Sequence, residues 1–488
     1  MNSPNPALVT ERSARALPRA ALLLLCAAYV LPGVFGRDPW RNADLAAFGQ
    51  MVAMAQGRTP WWMPTLGGVA GDTGLVPHWL GAGFIALLSP AVDPALAARI
   101  PFALLLAAVL ALTWYTTFHL ARTDAALPTP FAFGGEADPV AYGRAIADGA
   151  VLALMASLGL LQLGHETTPE LAQLGATALF LYALAAAPFR RWQARLAALA
   201  ALPLLAGSGA PSMAMAMGVG GTLVCALSRY PQVRRHAGWV AGGTLLAAVA
   251  AEALGAWRWR SPGLEWSQLP GIARQWAWFM WPGWLLALWT VWRWRFHLLS
   301  RHLSVPLVVL GVALGANLAM GGSDRALMLG LPGLAVLAAL ALPTFRRSTA
   351  AAVDWFSMLL FTGAAGFIWL MYVAMQTGVP AKPAANVAKL AAGFIPAFSW
   401  LDFVPALLGT AAWIWLVRWR TGRHREALWK SLVLPAGGVT LCLVLLLTLG
   451  LPILDSARSN RAIAERRWSP SAAGASTRRV RPPATVPT

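Results

Sequence analysis

The 488 residues are 58% hydrophobic and 12% charged, with 25 tryptophans, and the mean hydropathy is +0.58; a soluble domain carries about 25% charge. The net charge of +19 comes from 38 Lys and Arg against 19 Asp and Glu, but these charges sit in turns between apolar runs. That pattern speaks against nucleic acid and for an integral membrane protein whose basic turns set its topology.

Apolar runs of about 17 to 25 residues recur along the chain, each long enough to cross a hydrocarbon core. Backbone groups in lipid must pair internally, so the runs are expected to be helices and the fold all-α and polytopic. Cys26, Cys225 and Cys442 lie far apart inside such runs, which fits packing and offers neither a disulfide framework nor metal spacing.

Arg12, Arg15 and Arg19 precede the first run, Ala20 to Gly36. No small-x-small cleavage site follows it, so it reads as a retained first span with residues 1–19 in the cytoplasm. The 37–79 segment is then external, with the short, Gly/Pro-interrupted stretch Val76 to Pro90 as an interfacial or re-entrant piece closing it. Spans two to four run near Ile100 to Ala121, Ala145 to Gly164 and Leu171 to Phe189, the last two meeting at an outward turn, His165 to Glu170.

Spans five and six hinge outward at Gly207 to Pro211, and span seven ends near Trp257. A second external loop, 258–275, carries tryptophans suited to a headgroup belt. Spans nine and ten meet at an outward turn, Gly321 to Arg325, and a third external loop spans 376–399. The alternation gives about thirteen spans over 20–454 and leaves a basic tail, 455–488, outside; its Ser, Ala, Pro and Arg composition reads as largely disordered.

Within the first external loop, Asp44 falls at three- or four-residue spacing with Phe48, Met51 and Ala55, which predicts a helix capping a cavity. The order Arg37-Asp38-Pro39-Trp40, Asp44, Phe48-Gly49, Pro64-Thr65-Leu66, Gly68 and Asp72 resembles bacterial membrane glycosyltransferases of the GT-C type, among them protein O-mannosyltransferases and the lipid A aminoarabinose transferase. Ser323-Asp324-Arg325-Ala326-Leu327 with Leu331-Pro332 is similar to that family's outward turn before a late helix. Leu451 to Ser459 looks like its segment after the last span. Where the family has an acidic pair, this chain has Ala43-Asp44, and Asp72-Thr73-Gly74 stands where a Glu-Lys-Pro turn is usual.

The resemblance implies transfer of a sugar from a polyprenyl-phosphate carrier to a lipid, glycan or protein acceptor, at the external face of the bacterial cytoplasmic membrane. Such a reaction needs a carboxylate for the acceptor's proton and cations or a metal for the leaving phosphate. Asp44 is the candidate base, and Asp44→Asn is expected to remove it with little change in folding. Arg58 and Arg325, on the expected outer side, are candidate phosphate ligands. Asp72, His165 and Glu166 could position a sugar or hold a divalent cation. The bland alternatives are loop acids finishing helices and cations meeting anionic headgroups. A non-catalytic scaffold or a lipid or sugar transporter is the second functional reading.

Overall fold

Lipid offers a backbone amide no hydrogen-bond partner, and the computed structural model meets that constraint with a helix, or two helices end to end, at every predicted span. The structure describes residues 7–40, 42–71, 74–131, 134–257, 263, 265–345, 347–390, 394–422 and 427–460. Asp72 and residues 461–488 of the tail lie outside the described residues.

Among the described residues, six helices are long and apolar enough to cross a membrane: Pro94–Ala121, Pro169–Ala186, Arg301–Ala319, Ser348–Thr377, Trp400–Thr421 and Leu428–Leu446. The other predicted spans are shorter or broken. The third is one such, dividing into Pro139–Ala156 and Leu158–Leu163. At the break, Ser157 leaves helical geometry and the Leu158 N–H turns to the Trp281 carbonyl at 3.2 Å. A donor freed in the bundle interior is thereby satisfied by a neighbouring chain segment.

The expected re-entrant stretch is a helix, Leu75–Leu88, packed against Ala43–Ala55 and Pro94–Ala121. Gly81 lets it lie on Met51, because a Cβ there would collide with the Met51 thioether. A two-residue hairpin, Thr65–Leu66 with Val69–Ala70, sits in the same loop, and positive φ at Gly67 and Gly68 makes its tight turn. The 376–399 loop contains a helix, Ala381–Leu390, which contacts Leu451–Arg458. Trp266 and Trp278 are 85% and 65% exposed, as belt residues would be.

Two ends of the bundle collect the turns. At one, the amino-terminal segment meets the 123–138 and 427–432 turns: Thr129 N–H donates to Ala7 at 3.0 Å, and Trp429 Nε1 to the Arg15 carbonyl at 2.7 Å. Arg122, Arg190, Arg191, Arg195 and Arg301 lie at or near turns of this basic end. At the other end, residues 37–44 join the 165–170, 321–325 and 455–459 segments. The first loop and the segment after the last span therefore share one end, as the alternation of basic turns requires.

Candidate functional site

The site starts from how residues 37 to 44 fold back on themselves. Asn42 takes φ 74, which makes it the one non-glycine with positive φ among the described residues; Asn tolerates that geometry better than most. The bend brings the Trp40 N–H to Asp44 Oδ2 at 3.0 Å. Arg37 reaches the same oxygen at 3.1 Å, with the two side chains only 1% and 3% exposed. The other oxygen, Oδ1, accepts the Thr167 N–H at 2.9 Å. Asp44 thus ties the first loop to the 165–170 turn. A carboxylate offers about four lone-pair sites, so three donors leave one.

The buried stripe of the Ala43–Ala55 helix is Asp44, Ala47, Met51 and Met54, while Phe48 and Ala55 are half-buried. The predicted face is therefore rotated slightly toward Ala47 and Met54. Asp44→Asn also no longer reads as neutral for folding. It would leave the Arg37 charge buried without a counter-ion and set an amide against three donors.

A second polar knot closes the same end. Asp455 accepts from Trp40 Nε1 at 2.7 Å and from the Asp38 N–H at 3.2 Å, and Ser459 Oγ donates to Asp38 at 2.9 Å. The guanidiniums of Arg37 and Arg458 lie 4.7 and 5.0 Å from the Trp40 ring centroid, each a cation–π contact. Burial pushes the Asp455 carboxyl up from the usual carboxylate range, against the pull of its two donors.

Arg325 is placed by its own turn. Buried Asn317 accepts from Trp276 Nε1 and donates to the Ser323 carbonyl, both at 2.7 Å, and Ser323 caps Asp324–Met328. From there Arg325 spans Glu166 at 2.7 Å and Glu170 at 2.8 Å, and reaches Thr168 Oγ1 at 3.2 Å. Burial draws its basicity down, but Glu170 and Glu166 more than offset this and hold it raised. The structure so brings Arg325 and Glu166 together, with the arginine's charge already matched by two carboxylates. That differs from the expectation of a cation open to a lipid phosphate.

His165 Nδ1 lies 2.9 Å from the Leu161 carbonyl and Nε2 2.7 Å from the Tyr29 carbonyl. Donating to both would take an imidazolium. Burial, aided by Arg37 and opposed by the two carbonyls, pushes the ring down to about 4, so it is neutral at pH 7 and donates at one nitrogen. With both nitrogens facing carbonyls and Glu166 paired to Arg325, these positions do not fit a divalent cation. Among the described residues no group of three or more His, Cys, Asp or Glu could hold one. Arg58 is exposed past the end of the Ala43–Ala55 helix, about 20 Å along the chain from Asp44 at helical rise, and takes no part in the cluster.

The residue missing from the sequence-based candidates is Arg99. It sits near the start of the apolar Pro94–Ala121 helix, 5% exposed, with one amino group 3.3 Å from the Val34 carbonyl and Nε unpartnered. Among the described residues no carboxylate lies at ion-pair distance. It lines a small cleft together with Val34, Phe102, His165, Glu166 and Thr167. Asp44 stands just behind that cleft, one hydrogen bond away through Thr167.

Fold and site together define a polytopic helical membrane protein with its buried charges gathered at one end. No protein-family model matches the chain, and no curated protein matches it. Two solved structures do. ArnT from Cupriavidus metallidurans in the apo state is similar over 92% of this chain and 78% of its own, at 16% identity and a TM-score of 0.60. ArnT from the same organism bound to undecaprenyl phosphate is similar over 92% and 79%, at 15% identity and a TM-score of 0.59. The chain has the fold of ArnT, the lipid A aminoarabinose transferase.

Proposed function

We propose that this chain is a membrane glycosyltransferase that moves a sugar from a polyprenyl-phosphate carrier to a lipid, glycan or protein acceptor at the external face of the bacterial cytoplasmic membrane. The observation that carries the reading is the buried trio Arg37, Asp44 and Arg99 beside a cleft at one end of the bundle. The ArnT fold supports it, as one of the two similar structures holds undecaprenyl phosphate.

In this scheme an acceptor hydroxyl oxygen attacks the anomeric carbon of the donor sugar. The bond from that carbon to the phosphate oxygen breaks, and polyprenyl phosphate leaves with the bonding pair. Asp44 takes the hydroxyl proton at its remaining lone-pair site. Arg99, whose Nε has no partner, meets the charge that develops on the leaving phosphate. Arg37 orients Asp44, and Arg325 fixes the 165–170 turn through Glu166 and Glu170.

The reading is tested by binding of polyprenyl phosphate to the purified protein and to Arg99→Met. Loss of a charge-assisted contact worth about 1.5 to 3 kcal/mol weakens binding roughly 10- to 100-fold. Equal affinities would remove Arg99 from the phosphate site. A second reading, a non-catalytic scaffold, is favoured by one feature: Asp44 and Arg325 are both largely satisfied by the protein itself. A scaffold would bind the carrier without ever releasing sugar from it.

A further inference from the structure

The basic end of the bundle holds a second charged cleft that the transfer scheme does not use. The Arg191–Gly207 and Pro231–Ala253 helices pack side by side and both begin there. Neither has a side-chain cap at its start, and the positive ends of two helix dipoles face the same region. Arg191, Arg195, Gln232, Arg235, His236 and Trp239 line a small open cleft.

Among the described residues none of these three arginines has a carboxylate at ion-pair distance. The Arg195 guanidinium lies 5.2 and 5.1 Å from the Trp192 and Trp239 ring centroids, which hold it in place. His236 is 4% exposed, and its Nε2 has no hydrogen-bond partner, although the ring bonds the Ala183 carbonyl. Three uncompensated guanidiniums beside an unsatisfied buried polar atom describe a site built for an anion that also carries a hydrogen-bonding group.

Phosphate suits the guanidinium fork, and the surroundings select its source. Trp192 and Leu196, 71% and 65% exposed, continue one wall of the cleft along the helix, and Leu245 and Leu246, 69% and 50% exposed, lie farther along the other. A free phosphate has no use for that apolar surface, whereas acyl chains do. We propose that this cleft binds the head group of phosphatidylglycerol in the leaflet at the basic end. The phosphate lies among Arg191, Arg195 and Arg235, and a glycerol hydroxyl donates to His236 Nε2.

The full-length protein in detergent is titrated with phosphatidylglycerol, phosphatidylcholine or inorganic phosphate, and bound lipid is counted and its affinity measured by native mass spectrometry. The wild type should retain one phosphatidylglycerol in preference to phosphatidylcholine. Arg191→Gln/Arg195→Gln/Arg235→Gln should weaken that binding on the order of 100-fold, at about fivefold per arginine. Arg293→Gln/Arg295→Gln, which removes two exposed cations elsewhere at the same end, should leave it unchanged. Should the triple variant not fold, Arg195→Gln alone should weaken binding about fivefold. Equal retention by the cleft variants, or phosphatidylcholine held as tightly, overturns the proposal; inorganic phosphate binding with no lipid preference reassigns the cleft to a free anion and overturns the lipid part.

Discussion

Replacing Asp44 by Asn is the perturbation the structure speaks to most fully. The carboxylate and Arg37 are 3.1 Å apart and almost wholly buried, so the amide leaves a guanidinium without its counter-ion. Breaking a buried pair from one side costs about 3 to 5 kcal/mol. The amide can accept through one atom only, so at least one of the Arg37, Trp40 and Thr167 donors also loses its acceptor. Thermal unfolding in detergent, followed by tryptophan fluorescence, should show a clear drop for Asp44→Asn and a comparable one for Arg37→Met. The double variant Arg37→Met/Asp44→Leu should recover much of the loss, because neither charge then stays buried alone. Singles that melt with the wild type, or a double variant equal to the sum of two damaging singles, would refute the pairing.

Arg325→Ala should destabilise the fold by about 2 kcal/mol, and Arg325→Lys should recover little, since a point charge cannot span Glu166 and Glu170 as the fork does; chemical denaturation in detergent compares the three. His165 takes a proton near 4 when folded and near 6.5 when unfolded, so the unfolded chain binds more protons between those values. Its contribution is present above about pH 6.5 and lost as pH falls toward 4. Melting midpoints across that window should fall more for the wild type than for His165→Gln. Gly74→Ala should impair folding and lower the yield of monodisperse protein, because its Cβ would strike the backbone of Gly207, Ser208 and Gly209. Reporters fused after Arg195, Arg235 and Arg347 should read cytoplasmic, and those at Gly68, Gly322 and Pro470 external.

The helical passes were legible because run length and hydropathy are properties of composition, and lipid permits little but helix for such runs. The break at Ser157 was not, since nothing in its local sequence announces that the Leu158 N–H will find the Trp281 carbonyl. Asp44 was legible through its position in a motif, while its counter-ion stood seven residues earlier in the same motif, unassigned. Arg99 left a usable signal, a lone cation at the start of an apolar helix, of the kind that marks function in membranes. The Trp40 to Asp455 bond joins residues 415 apart, a pairing no local pattern encodes. The state of Arg325 was hidden for a similar reason: both of its acids lie on a separate turn, more than 150 residues earlier.

In the proposed transfer a sugar leaves its polyprenyl-phosphate donor while Asp44 takes the acceptor's proton. Purified protein in proteoliposomes is supplied with labelled polyprenyl-phosphate sugars and a mixture of membrane acceptors, and release of unglycosylated polyprenyl phosphate is followed. The wild type is predicted to consume a donor, and Asp44→Asn, normalised to its folded fraction, to do so about 10²- to 10⁴-fold more slowly. Equal rates for the two proteins would contradict the role of Asp44, and a stable wild type that binds polyprenyl phosphate yet consumes no donor would contradict the enzyme itself.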